Sequence, residues 1–160
     1  MKIKEAKSII RSPFFPARFS QNKNYKYSVC IGLGGNIGDV KKRFERFFLA
    51  IKKDSRFFLK ESSIILKNKA FGFREQNDFL NAIILLKTSL HARAILKIMQ
   101  YYEIKFKRTR SFKNAPRTLD LDILYFSEKI RQSNDLQIPH YGVNDRISVI
   151  IPLGSMKETI

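Results

Sequence analysis

Two aspartates give the first chemical signal in this chain. In Leu119-Asp120-Leu121-Asp122-Ile123, apolar and acidic residues alternate. Successive strand side chains point to opposite faces, so Leu119, Leu121 and Ile123 would bury while Asp120 and Asp122 stand side by side on the open face. Carboxylates that close repel unless a cation lies between them. An oxygen-only pair suits Mg²⁺, which takes one or two carboxylates and leaves its other positions to waters and substrate phosphates. Arg117 lies just upstream, preceded by Arg108 and Arg110. Guanidinium groups pair with phosphate oxygens in a fixed fork. The pattern therefore predicts metal-assisted phosphate chemistry. A bare D-x-D also fits an amphipathic edge strand with solvated carboxylates, so the neighbours must decide.

Upstream, Phe79-Leu80-Asn81-Ala82 leads into the apolar Ile83-Ile84-Leu85-Leu86. An amide on an apolar strand must find partners. Phe79 alone fits core packing. The basic stretch at residues 107–114 reads either as a solvated loop or as one that closes over a polyphosphate. Gln100 and Glu103, three apart, share a helix face just before it. His140, in Ile138-Pro139-His140, offers a donor and an acceptor near neutral pH, and Arg146 adds a cation. The cluster Gly34-Gly35-Asn36-Ile37-Gly38 fails the dinucleotide pattern at Ile37 and lacks the Gly-Lys-Ser/Thr ending of a phosphate loop. It reads as a tight turn into a helix, with Asp39 as N-cap.

The elements that must hold these residues follow from periodicity. A buried strand is expected over 27–33. A helix follows over 40–53, with Phe44, Phe47, Phe48 and Ile51 as its core stripe. One strand is expected over 57–66, another through 79–86, and a second helix over 92–105 with Ile95, Ile98, Met99 and Tyr102 inward. Residues 1–25 read as an arm, and 26–160 as a single domain. Residues 2–10 have the makings of a short helix, which Pro13 and Pro16 cannot continue. Phe14, Phe15 and Phe19 are too apolar to hang in water, so the arm is expected to dock on the domain or on a partner chain. Removing residues 1–24 is expected to leave fold and chemistry in place and to lower solubility or stability.

Composition sets the outer bounds. The chain has 160 residues, 44% of them hydrophobic, which is ample for one folded core. No run has the length of a membrane span, and the basic N-terminus lacks the apolar core of a signal peptide. The single Cys30 lies in an apolar run and reads as a buried thiol, which fits a reducing cytoplasm. No Cys/His cluster has zinc-ligand spacing. The formal charge of +17 fits a polyanionic partner or a lysine-rich, solvated surface.

Taken together, Pro116-Arg117-Thr118-Leu119-Asp120-Leu121-Asp122-Ile123 resembles the signature of the 6-hydroxymethyl-7,8-dihydropterin pyrophosphokinase family of the folate pathway. Leu33-Gly34-Gly35-Asn36-Ile37-Gly38-Asp39, Asp78-Phe79-Leu80-Asn81, and Ile138-Pro139-His140 with Arg146 extend the resemblance over roughly residues 29–153. The resemblance implies an α+β fold of ferredoxin-like type, a mainly antiparallel sheet with helices packed on it. It implies transfer of pyrophosphate from ATP to the hydroxymethyl oxygen of the pterin, with release of AMP. In that scheme Asp120 and Asp122 hold two Mg²⁺ ions and act in catalysis with Arg108 and Arg117. Gln100, Glu103, Arg108, Arg110, Arg117, Ile123, His140 and Arg146 contact ATP, and Asn68, Phe71, Phe79 and Asn81 hold the pterin. The partners are then small molecules, with no nucleic acid or membrane, and the protein is expected to be a cytoplasmic monomer.

Four positions depart from the family pattern. Lys107 and Ala115 stand where glycines are usual, the loop before Gly72 lacks a threonine and a proline, and Ser148 replaces a second ring-stacking phenylalanine. The competing reading is a basic ferredoxin-like module that binds RNA without catalysis. It accounts for the charge but leaves the aspartate pair without a role.

Overall fold

The computed structural model describes residues 6–20, 24–70, 75–107, 118–127, 131–133, 136–143 and 146–157. Its elements run β1 (Ala6–Ile10), β2 (Ala17–Arg18), β3 (Tyr27–Gly35), α1 (Val40–Lys53), β4 (Phe57–Ser62), β5 (Ile65–Asn68), β6 (Phe79–Thr88), α2 (Ala92–Lys105), β7 (Asp120–Phe126), β8 (Arg131–Gln132), β9 (Gln137–Ile138) and α3 (Ile147–Gly154). Strands β1 to β7 form one sheet, with the path β1-β5-β6-β3-β7 and with β4 joining β6 to β2. Every pairing in it is antiparallel. This is the expected α+β fold, with β3 and β6 at its centre.

Alternation along the central strands makes two layers. Val29, Ile31 and Leu33 of β3 and Ala82, Ile84 and Leu86 of β6 face the helices, where they meet Phe44, Phe47, Phe48 and Ile51 of α1 and Ile95, Met99 and Tyr102 of α2. Cys30, Ile83 and Leu124 turn to the other face and pack with Val149 of α3. Burial pushes the Cys30 thiol up to about 12, so it stays protonated. Helix α1 begins as expected, with Asp39 Oδ1 accepting from the Lys42 N–H at 3.1 Å. Gly38 precedes it at φ +70°, the left-handed region that glycine enters without strain. Helix α3 is an addition: the sequence reading gave residues 147–153 no helix.

Three expectations change. The single strand over 57–66 is two strands, because Ser63 breaks it. The Ser63 N–H donates to Ile83 O and its hydroxyl accepts from the Ile83 N–H, both at 2.8 Å. One serine thus satisfies both backbone groups of Ile83 while the chain bends. Gly34 and Gly35 are not a turn; they end β3 within the ladder, Gly34 opposite both Asn81 and Asp120. The helix expected over 2–10 gives way to a strand at Ala6–Ile10, and residues 1–5 lie outside those described. A helix so short is marginal in water, whereas β5 offers a row of backbone partners.

The N-terminal segment does dock on the body of the chain. The Ser62 hydroxyl donates to Phe14 O at 2.6 Å and accepts from the Ala17 N–H at 2.9 Å. Phe14, Phe15 and Phe19 all pack around Phe48, with centroids 5.1, 5.6 and 6.2 Å away.

Candidate active site

The two aspartates lie on the open face of β7, as their spacing predicts. Leu119, Leu121 and Ile123 are buried in the core beneath them, and the Asp122 side chain keeps 42% of its surface exposed. What the aspartates face is set by register. Gly34 of β3 lies between Asp120 and Asn81, and Gly32 lies between Asp122 and Ile83. A methyl group on Gly34 would sit 3.0 Å from Asn81 Oδ1 and 3.9 Å from Asp120 Cβ. On Gly32 it would sit 3.1 Å from Leu124 Cδ1. The two glycines therefore make a strip of the sheet without side chains of its own, over which Leu124 and Asn81 reach, with carboxylates along one side and an amide on the other. Sequence reasoning missed this strip, although Gly32-Leu33-Gly34 repeats with the period of two that the aspartates share.

Asn81 is itself held in place. Its Nδ2 donates to Asn68 Oδ1 at 2.7 Å, and Asn68 Nδ2 donates to Lys69 O at 2.9 Å. This chain fixes which way each amide points. Phe79 pairs with Asn68 in the ladder and shares the face of Asn81, largely buried. The approach to β6 is tied to the end of β3, because Asn36 Nδ2 donates to Gln76 Oε1 at 2.8 Å and Asn77 O at 3.0 Å.

A cationic corner closes the carboxylate end. The His140 N–H donates to Leu124 O at 3.0 Å, placing the imidazole beside β7 with Nε2 3.9 Å from Asp122 Oδ2. His140 Nδ1 accepts from the Gly142 N–H at 3.1 Å. The neutral ring therefore carries its proton on Nε2, facing Asp122. Burial and then the Arg146 charge lower the His140 pKa, and Asp120 pulls the other way. Tyr141 stacks on His140 at 4.4 Å. Arg146 lies over the Tyr141 ring at 4.8 Å and donates to its hydroxyl at 3.1 Å. The sequence reading named His140 and Arg146 but not the tyrosine between them.

Other candidates are dispersed. Glu103 is buried and accepts from the Leu121 N–H at 2.8 Å, so its carboxylate holds the backbone between the two aspartates. Gln100 is exposed on α2. Ile123 turns its side chain into the core. Ser148 is half-buried on α3. Phe71, Arg108, Arg110 and Arg117 lie outside the described residues.

The donor set fits a hard cation: two oxygen ligands on one face, one of them well exposed. Among the described residues no group of three or more His, Cys, Asp or Glu side chains is arranged to hold a metal. The remaining positions around an ion at Asp120 and Asp122 would fall to water or substrate oxygens.

The strip predicts a selective defect. Gly34→Ala should push Asn81 off its bond to Asn68 and weaken binding of the heterocyclic substrate roughly three- to tenfold, about the worth of one hydrogen bond. The nucleotide KM should stay unchanged. Steady-state kinetics with each substrate varied in turn provide the check; unaltered affinity for the heterocycle would mean that the strip is not where it binds.

The chain is similar to known proteins. Residues 30–158 match the model of the family described as 7,8-dihydro-6-hydroxymethylpterin-pyrophosphokinase (HPPK). The chain is 54% identical over 155 residues to the 2-amino-4-hydroxy-6-hydroxymethyldihydropteridine pyrophosphokinase of Campylobacter jejuni, covering 96% of this chain and 98% of the relative. It is 40% identical over 149 residues to the protein of the same name from Helicobacter pylori, covering 92% and 91%. With the Bacillus subtilis protein of that name the identity is 31% over 130 residues, covering 81% and 78%.

Proposed function

Because the chain belongs to the 7,8-dihydro-6-hydroxymethylpterin-pyrophosphokinase family, we propose that it transfers the terminal pyrophosphoryl group of ATP to the hydroxymethyl oxygen of 6-hydroxymethyl-7,8-dihydropterin. AMP leaves, and the product is the pterin diphosphate, an intermediate of folate biosynthesis. The observation that carries this reading is the pair of rows across β3, Asn81–Gly34–Asp120 and Ile83–Gly32–Asp122. They put the Asn81 amide and the Asp120 and Asp122 carboxylates on one face, with Gly34 between Asn81 and Asp120.

The residues divide the work. Asn81, oriented by Asn68, reads the amide-like edge of the pterin, and Phe79 supports one face of the ring. This holds the hydroxymethyl oxygen towards β7 for in-line attack. Asp120 and Asp122 would hold two Mg²⁺ ions, which when bound neutralise phosphate charge and lower the pKa of the attacking hydroxyl. His140 offers its Nε2–H, and Arg146 its guanidinium, to phosphate oxygens. Arg108, Arg110 and Arg117 balance the charge that builds as the bond to AMP breaks. Glu103 acts through the Leu121 backbone by keeping the two aspartates in register.

Both substrates are small molecules, and one protomer carries both rows, so we read the active unit as a monomer. A single buried thiol suits the cytoplasm. Among the described residues, no helix is long and apolar enough to cross a membrane.

The test is to mix the protein with ATP, the pterin and Mg²⁺ and follow AMP. Release should require all three. AMP release that ignores the pterin, or that survives removal of divalent cations, would overturn the reading.

A further inference from the structure

The match to the family begins at residue 30, yet a side chain far upstream reaches the pterin end of the sheet. Strand β1 lies along β5 with Ala6 opposite Asn68 and Ser8 opposite Lys67, so Lys7 is the extra residue of a β-bulge. A bulge bends its strand and re-aims a side chain, and such features gather near functional sites. Here it turns Lys7 Nζ onto Asp78 Oδ2, at 2.6 Å. Asp78 immediately precedes Phe79 and lies two residues beyond Gln76, which Asn36 holds from the β3 side. Residues 76–78 are thus clamped from both sides, by Asn36 at the end of β3 and by Lys7 on β1. The backbone of Ala6, the neighbour of Lys7, is paired with Asn68, whose side chain orients Asn81.

We propose that Lys7 is a positioning residue for pterin binding, which sets the entry of β6 through its ion pair with Asp78. The proposal rests on the reading that Phe79 and Asn81 hold the pterin. It makes the N-terminal segment part of substrate recognition as well as of the sheet. Both partners keep access to solvent, with 44% and 24% of their side chains exposed. The pair is therefore in the range of exposed ion pairs, and its loss should change affinity by a factor of roughly two to five.

The experiment is steady-state kinetics on Lys7→Ala, Lys7→Arg and the exchanged pair Lys7→Asp/Asp78→Lys, with thermal unfolding measured on each. Lys7→Ala should raise the pterin KM roughly two- to fivefold, with kcat and the ATP KM unchanged. Lys7→Arg should restore the wild-type value, and the exchanged pair should recover part of it. High salt should narrow the gap between wild type and Lys7→Ala. An unchanged pterin KM in Lys7→Ala, or equal changes in the KM of both substrates, would overturn the proposal, as would a lower melting temperature with unaltered kinetics. Wild-type turnover is measured first. Its absence would count against the catalytic reading, whereas a wild-type pterin KM retained by an active Lys7→Ala would count against the role of Lys7 alone.

Discussion

Replacing Asp122 with alanine should lower turnover by a factor of at least about 10², and Asp120→Ala should do the same, as expected when preorganised electrostatic stabilisation is lost. The reasoning starts from position. Both side chains leave β7 on the face opposite the main core and keep part of their surface exposed, so neither substitution opens a cavity. Each removes one oxygen ligand and one negative charge from the pair proposed to hold Mg²⁺. The folded state should survive, with the far-ultraviolet spectrum and melting temperature close to wild type. Asp122→Asn is the sharper variant, because it keeps the size and removes only the charge. Activity should fall with it, and more Mg²⁺ should be needed for half-maximal rate. Near-normal turnover with unchanged Mg²⁺ dependence in any of these variants would show that the carboxylates do not hold the metal.

The second large effect falls on stability and far from the chemistry. Phe15→Ala should destabilise the fold by about 3–5 kcal/mol, the range for deleting a buried aromatic side chain. Phe15 has 0% of its surface exposed and lies 6.1 Å from Phe44 and 5.6 Å from Phe48, ring centre to ring centre. Denaturant unfolding of wild type and variant gives the number directly. A loss below about 1 kcal/mol would mean that the N-terminal segment adds little to the core. The same geometry bears on truncation. Removing residues 1–24 takes away Phe15 and two strands of the sheet, so a truncated chain tests stability first and catalysis only if it folds.

Local pattern explains why some of this was readable in advance. The alternation at Leu119–Ile123 specifies a half-buried strand whatever surrounds it, and it placed the aspartates on the open face. Helices α1 and α2 were equally plain, since their stripes need only a 3.6-residue period. The misread features depend on partners distant in sequence. Gly34 looks like a turn residue until β6 and β7 are known to flank it. The break at Ser63 depends on Ile83, and the strand at Ala6–Ile10 exists because β5 has an edge to offer. The resemblance implies Glu103 among the ATP contacts. Its bond to the Leu121 N–H is a tertiary contact that no helical spacing could signal. The resemblance to the pyrophosphokinase signature named the candidate residues; the register puts Asn81 and the aspartates on one face of the sheet.

The most direct test of the whole account is to follow both terminal phosphates of ATP. With ATP labelled at the β- and γ-phosphates, the protein, Mg²⁺ and 6-hydroxymethyl-7,8-dihydropterin should yield AMP and a labelled pterin in equal amounts. Both labelled phosphates should stay together on the pterin. Formation of ADP with a singly phosphorylated pterin, or release of the label as free phosphate or pyrophosphate, would contradict it.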